Sequence, residues 1–324
     1  MKPFKILTLF FTAFLLFAPI AIAKTASVTN ESLAARYPFY LAQKGETKIY
    51  ILGTMHLGRI GDSLNPKIDD ALNSSSKLIL EISPNELNMA EEELKLFLCE
   101  KPCLRDQIGE ALFEQLKAKY RLLALGSGNF EQTPAWFVSS LISVYDYLKM
   151  GYSPNFGSEK LLQKIAPQIE TVGLESGKEQ LNSMATLSNK AQREMLEDYL
   201  SMDDAELKGY IKEMYDIYLA GDADRLFNWY MRDRPAQKIS KESISEFNEK
   251  LIFERNKRFV TRLKKHMTAN KPIFERNKRF VTRLKKHTIA NKPIFIAVGA
   301  LHLGGEKGVL ALLRKDGYKI TAIK

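Results

Sequence analysis

Two stretches of the chain, KIYILGTMHLG (48–58) and PIFIAVGALHLGG (293–305), each run an apolar segment into the pattern Gly-x-x-His-Leu-Gly. They carry His56 and His302, two of the four histidines in 324 residues. Glu81 closes the apolar run KLIL, and Glu175 follows IETVGL. Two imidazoles and one carboxylate form a common open site for a divalent metal, with positions left for water or substrate. An ion held by His56, His302 and one of these carboxylates would generate hydroxide near neutral pH or polarise a carbonyl. Glu81 and Glu175 are the candidate catalytic carboxylates, one as the ligand and the other as a base. His266 and His287 lie in a basic repeat and read as solvated helix residues.

For that chemistry both histidine segments must be strands ending at one edge, because ligands of open α/β sheets bind at the carboxyl ends of strands. The glycine three residues before each histidine reads as the bend that turns the chain off the strand. FYLAQKGETKIYILGT predicts a hairpin around Lys44-Gly45-Glu46, and KLILEIS a buried strand. From about residue 85 to 149 helical patterns dominate. IETVGLES follows as a short apolar run, then the helices KEQLNSMATL and KAQREMLEDYLSMDDAELKGYIKEMYDIYLAG. Strand 294–301, helix GVLALLRKD and strand YKITAI close the chain. The predicted fold is α/β, a central mixed sheet built from the N- and C-terminal parts with a large helical insertion. No Gly-rich phosphate loop, G-x-S-x-G elbow or H-E-x-x-H pair is present.

The net charge of +10 invites a nucleic-acid reading, but its source argues against one. IFERNKRFVTRLKKHMTANKP (252–272) is followed at once by IFERNKRFVTRLKKHTIANKP (273–293), differing only at Met267/Thr288 and Thr268/Ile289. Each copy carries seven basic residues and one glutamate, so removing one would leave +4. The basicity belongs to a duplicated helix. Two units are too few for a solenoid. Phe253, Asn256, Val260, Leu263 and Met267 form one helical stripe, and Pro272 and Pro293 each end a copy. Only one copy can fill the ancestral slot. The other is expected as a basic surface helix able to touch anionic lipid weakly.

MKPFKILTLFFTAFLLFAPIAIAK opens with Lys2 and Lys5, continues apolar, and ends in Ala21-Ile22-Ala23, the pattern of a signal peptide cut near Ala23. Residues 24–324 would then form the exported domain, periplasmic or secreted. No Cys stands at the cut to suggest a lipoprotein. In an oxidising compartment Cys99 and Cys103 are expected to form a small local disulfide.

Taken together, YILGTMHLG, LILEIS, VGLESGKEQL, FERNKRF and VGALHLGGEKGVLALLRKDGYKI resemble the TraB/PrgY/GumN family in the same order over nearly the whole mature chain. That family is related to the TIKI proteases and similar in fold to erythromycin-esterase-like and ChaN-like proteins. The resemblance implies an exported metal-dependent hydrolase acting on a peptide or small molecule, with Mn²⁺ or Co²⁺, and Zn²⁺ as a further candidate. It implies His56, Glu81 and His302 as the metal set, Glu175 as a site acid, and an Arg-Asn pair that binds substrate. That pair is Arg255-Asn256 or Arg276-Asn277. The family's Gly-x-Asp reads Gly157-Ser158-Glu159 here, an acid one carbon longer. Two alternatives remain open: a metal-free hydrolase in which a His and Glu pair activates water, and a non-catalytic periplasmic module that binds a ligand such as haem.

Overall fold

A computed structural model describes residues 36–86, 98–121, 130–234, 237–269 and 292–324. The predicted signal peptide and Arg276-Asn277 of the second repeat copy lie outside these residues.

The strands are β1 (Phe39–Lys44), β2 (Thr47–Thr54), β3 (Gly58–Arg59), β4 (Leu78–Leu80), β5 (Tyr152–Ser153), β6 (Thr171–Gly173), β7 (Ile294–Gly299) and β8 (Lys319–Ala322). Six of them form a mixed sheet in the order β6-β4-β7-β2-β1-β8, while β3 and β5 pair separately. Neighbours among β6, β4, β7 and β2 run parallel, and β1 is antiparallel to both β2 and β8. The predicted α/β fold with its mixed sheet is observed. The long insertion itself contributes the edge strand β6.

The helices are α1 (Pro66–Ser74), α2 (Leu104–Ile108), α3 (Glu110–Lys119), α4 (Ala135–Lys149), α5 (Ser158–Ile165), α6 (Gly177–Ala185), α7 (Asn189–Ser201), α8 (Asp204–Ala220), α9 (Ala223–Tyr230), α10 (Lys241–Phe247), α11 (Glu254–Ala269) and α12 (Val309–Lys315). The long helical pattern from Lys190 to Ala220 is two helices. It breaks because Asp203 and Glu206 form a capping box that starts α8 afresh.

β4 and nearly all of β7 are buried continuous apolar runs, as strands covered on both faces must be. Alternate residues feed opposite faces of the sheet. Leu52, Leu78, Leu80, Phe295 and Ala297 pack in a core with Ile68 and Leu72 of α1, Leu162 of α5 and Tyr215 and Tyr218 of α8. Ile51, Ile79, Ile294, Ile296 and Val298 pack with Phe259, Val260 and Leu263 of α11 and Val309, Leu310 and Leu313 of α12. A separate helical core joins α2, α3, α4 and α7 around Phe113, Ile142 and Leu196. Cys99 and Cys103 are disulfide-bonded next to it, as expected. Among the described residues no helix is long and apolar enough to cross a membrane.

Candidate active site

The four parallel strands end at one edge, and each hands over one of the flagged residues just beyond its last position. His56 follows β2, Glu81 follows β4, Glu175 follows β6, and His302 follows β7 in a short 3-10 turn, Ala300–His302. Strand β7 therefore stops at Gly299, two residues earlier than the sequence pattern indicates.

The two motif glycines serve by close approach rather than by a left-handed bend, for neither has a positive φ. A Cβ on Gly299 would lie 3.0 Å from Glu81 Oε1 and 3.4 Å from the His302 ring. One on Gly53 would lie 3.0 Å from the side chains of Leu303 and Pro38.

Glu81 is buried. It accepts the Gly299 N–H on Oε1 at 2.5 Å and Arg255 Nη2–H on Oε2 at 2.6 Å. Burial opposes its ionisation, but the charge on Arg255, the two histidines and the Gly299 N–H outweigh it and bring the pKa down to about 2.

Arg255 comes from the first turn of α11, which continues directly from a π-helical segment, Asn248–Phe253. Such segments often mark functional sites. Its Nε–H donates to Glu175 at 3.0 Å and its Nη2 to Glu81 and Glu175. Nη1 donates to the Leu251 carbonyl at 3.2 Å and to His302 Nε2 at 3.1 Å. All five guanidinium N–H groups thus have acceptors. Glu175 is fully buried, and Arg258 also approaches it at 3.7 Å. Burial pushes its pKa up, with Arg255 only partly offsetting the effect. One guanidinium shared between two carboxylates does not neutralise both.

His302 has a defined tautomer. The Asn256 amide donates to the Lys307 carbonyl at 3.0 Å, which turns Oδ1 toward His302 Nδ1 at 2.7 Å. Nδ1 therefore carries the hydrogen, and Nε2 accepts from Arg255. Burial holds this imidazole neutral, its pKa lowered to about 4. Phe259 packs edge-on against the ring at 5.2 Å. Asn256 is wholly buried, so the inward polar residue of the helical stripe orients His302. The first repeat copy fills the slot, with Arg255-Asn256 as the pair at the site. Phe259, absent from the predicted stripe, is also fully buried.

His56 is half-exposed, and its Nδ1 lies 3.1 Å from Glu159 Oε1. The Glu159 charge is the largest influence on its pKa, which rises to about 9 against an opposing desolvation. Burial opposes ionisation of Glu159 too, but His56 and a 2.6 Å hydrogen bond from Thr54 Oγ1 outweigh it. Glu159 reaches this position because two glycines let distant loops touch. A Cβ on Gly157 would lie 2.1 Å from the His56 carbonyl oxygen, and one on Gly58 would lie 2.0 Å from that of Phe156. The Ser158 N–H then bonds the Met55 carbonyl at 2.9 Å. Glu159 stood in the Gly157-Ser158-Glu159 signature but was not among the sequence-predicted site residues. Pairing it with His56 required knowledge of that loop contact.

His56, Glu81, Glu159, Arg255 and His302 line one cavity of about 460 Å³. The rest of its wall is mostly apolar, including Trp136, Phe137, Leu141, Val144, Leu181 and Met184 from α4 and α6. Gln180 also lines it, with Nε2 at 3.4 Å from Glu81 Oε2.

As arranged, His56, Glu81 and His302 do not fit a divalent ion. The Nε2 lone pair of His302 faces an Arg255 N–H and Glu81 is held by the same guanidinium and the Gly299 N–H, so neither donor is open to an ion. Among the described residues no group of three or more His, Cys, Asp or Glu side chains is placed to hold a metal.

A family model described as the TraB/PrgY/gumN family matches residues 38–274 and 273–322. The two matched segments meet at the start of the second repeat copy. No curated protein and no solved structure matches the chain.

Proposed function

The chain belongs to the TraB/PrgY/gumN family, and from that premise and the site geometry we propose that it is a hydrolase whose base is the His56–Glu159 pair. The observation that carries this reading is a half-exposed imidazole, held by a carboxylate at 3.1 Å, on the wall of a cavity with an otherwise buried charged end. Glu159 fixes the ring by accepting from Nδ1 and keeps it protonated up to about pH 9, so the base works on the alkaline side, where neutral His56 carries its lone pair on Nε2. That atom takes the proton of a water molecule as the water attacks an ester or amide carbonyl. The Gln180 amide, which lines the same cavity, serves in this reading as the donor to the carbonyl oxygen. The network of Arg255, Glu81, Glu175 and His302 holds the strand ends in register and so fixes the wall against which the substrate carbonyl is bound. A metal route through His56, Glu81 and His302 is not part of this proposal, because the donor set does not fit an ion. Export is part of it, since residues 1–23 read as a signal peptide and a disulfide persists best in an oxidising compartment.

The test is hydrolysis of neutral ester and peptide substrates by residues 24–324, with and without a strong chelator. Activity that survives chelation and is lost in His56→Ala and Glu159→Gln is expected. Activity that appears only on adding Mn²⁺, Co²⁺ or Zn²⁺ would overturn the metal-free base. Binding of a ligand such as haem without any turnover would instead mark a non-catalytic module.

A further inference from the structure

The apolar part of the cavity has no role in activating water, yet it makes up most of the wall. Trp136, Phe137 and Leu181 form a small hydrophobic cluster of their own, with Leu141 and Met184 packed against it. Leu141 and Met184 are only partly buried, so this cluster ends at the cavity rather than closing over itself. Water in such a space finds few polar partners, and an apolar occupant gains by displacing it. Methionine at the boundary adapts its shape to a flexible guest. Ser140 of α4, Lys160 and Gln163 of α5, and Glu86 also line the cavity, while His56, Glu81 and Gln180 gather where the strands end. A guest that matches both ends has an apolar chain terminating in a carbonyl.

We propose that the substrate is an acyl ester or N-acyl compound whose aliphatic chain lies between α4 and α6 with its carbonyl at His56. This inference rests on the hydrolase reading and names the substrate class of that site. In the step itself, the water oxygen bonds to the acyl carbon and its proton passes to His56 Nε2. The bond from the acyl carbon to the alcohol or amine then breaks, and the same proton goes to the departing oxygen or nitrogen. A volume of about 460 Å³ is within the range of cavities that enclose a small organic ligand.

The experiment measures kcat/KM for acetyl, butyryl, hexanoyl, octanoyl and decanoyl p-nitrophenyl esters, with decanoate binding followed by calorimetry. For the wild type, kcat/KM should rise about fourfold per added methylene until the cavity is full. Met184→Trp from α6 and Val144→Trp from α4 should each lower the decanoyl-to-acetyl ratio more than about tenfold. The second variant serves if the first does not fold. Hydrolysis with a flat chain-length profile, or a rising profile that both variants leave unchanged, overturns this inference and leaves the hydrolase standing. Decanoate binding that both variants abolish, with no ester turned over, keeps the acyl site and overturns the hydrolase. Neither turnover nor binding overturns both.

Discussion

Arg255 Nη1 lies 3.1 Å from His302 Nε2, and a guanidinium can only donate, so the buried imidazole meets it with a bare nitrogen. This contact ties α11 to the end of β7. The same guanidinium ties α11 to the ends of β4 and β6 through Glu81 and Glu175. One side chain thus binds three strand ends.

Removing that side chain should therefore leave two buried carboxylates without their main partner. Arg255→Met is expected to destabilise the fold by about 3–5 kcal/mol, the scale for breaking a buried ion pair from one side. Arg255→Met combined with Glu175→Met removes one of the two orphaned carboxylates as well, leaving Glu81 with the Gly299 N–H, and should recover part of the loss. Urea unfolding of the three proteins decides it, and a double variant no better than the single one would count against the shared-charge account.

The two motif histidines should give opposite pH limbs to stability. The His302 pKa is lowered to about 4 from 6.5. Between those values the unfolded chain binds a proton that the folded chain refuses, so stability falls as pH drops through this window. For a group this deeply buried the loss should reach about 3 kcal/mol. The His56 pKa is raised to about 9. Its contribution is fully present below 6.5 and is lost as pH rises toward 9. Thermal unfolding against pH should show both limbs, and Glu159→Gln should flatten the alkaline one.

How far the sequence led depends on how local each signal is. His56, Glu81, Glu175 and His302 were legible because each follows an apolar run that folds as a buried parallel strand, and such strands end together. Asn256 was legible as a polar residue on an apolar stripe, although its partner, His302, was not. The His56–Glu159 pair was hidden because it depends on two loops touching across 103 residues, through backbone that no periodicity describes. The five-donor role of Arg255 was hidden for a related reason. A sequence shows that an arginine is present, not that four separate chain segments supply its acceptors.

Gly157 should be indispensable for that loop contact. A Cβ there would lie 2.1 Å from the His56 carbonyl oxygen, which forces the backbone apart and moves Glu159 from the imidazole. Gly157→Ala is expected to lower kcat by about tenfold or more, since small misplacements of a base are costly. Gly209, within α8, has nothing within 4 Å of an added Cβ. Gly209→Ala should leave kcat unchanged and raise stability by roughly 0.5–1 kcal/mol through helix propensity. Parallel kinetics and urea curves separate the two effects.

Activity should require only the first repeat copy. Residues of 252–269 supply Arg255, Asn256, Phe259, Val260 and Leu263 to the site and core. Deleting 273–293 joins Pro272 to Ile294, and the new junction reads Ala-Asn-Lys-Pro-Ile-Phe, identical to residues 290–295. Strand β7 is thus entered through the same tetrapeptide as before, now carried by the copy whose helix fills the slot. The shortened protein should fold, retain kcat/KM and drop its net charge from +10 to +4. In the full chain, Arg276→Ala should be silent whereas Arg255→Ala is not. A reversed result, with Arg276→Ala the damaging change, would mean that the second copy serves the site in solution.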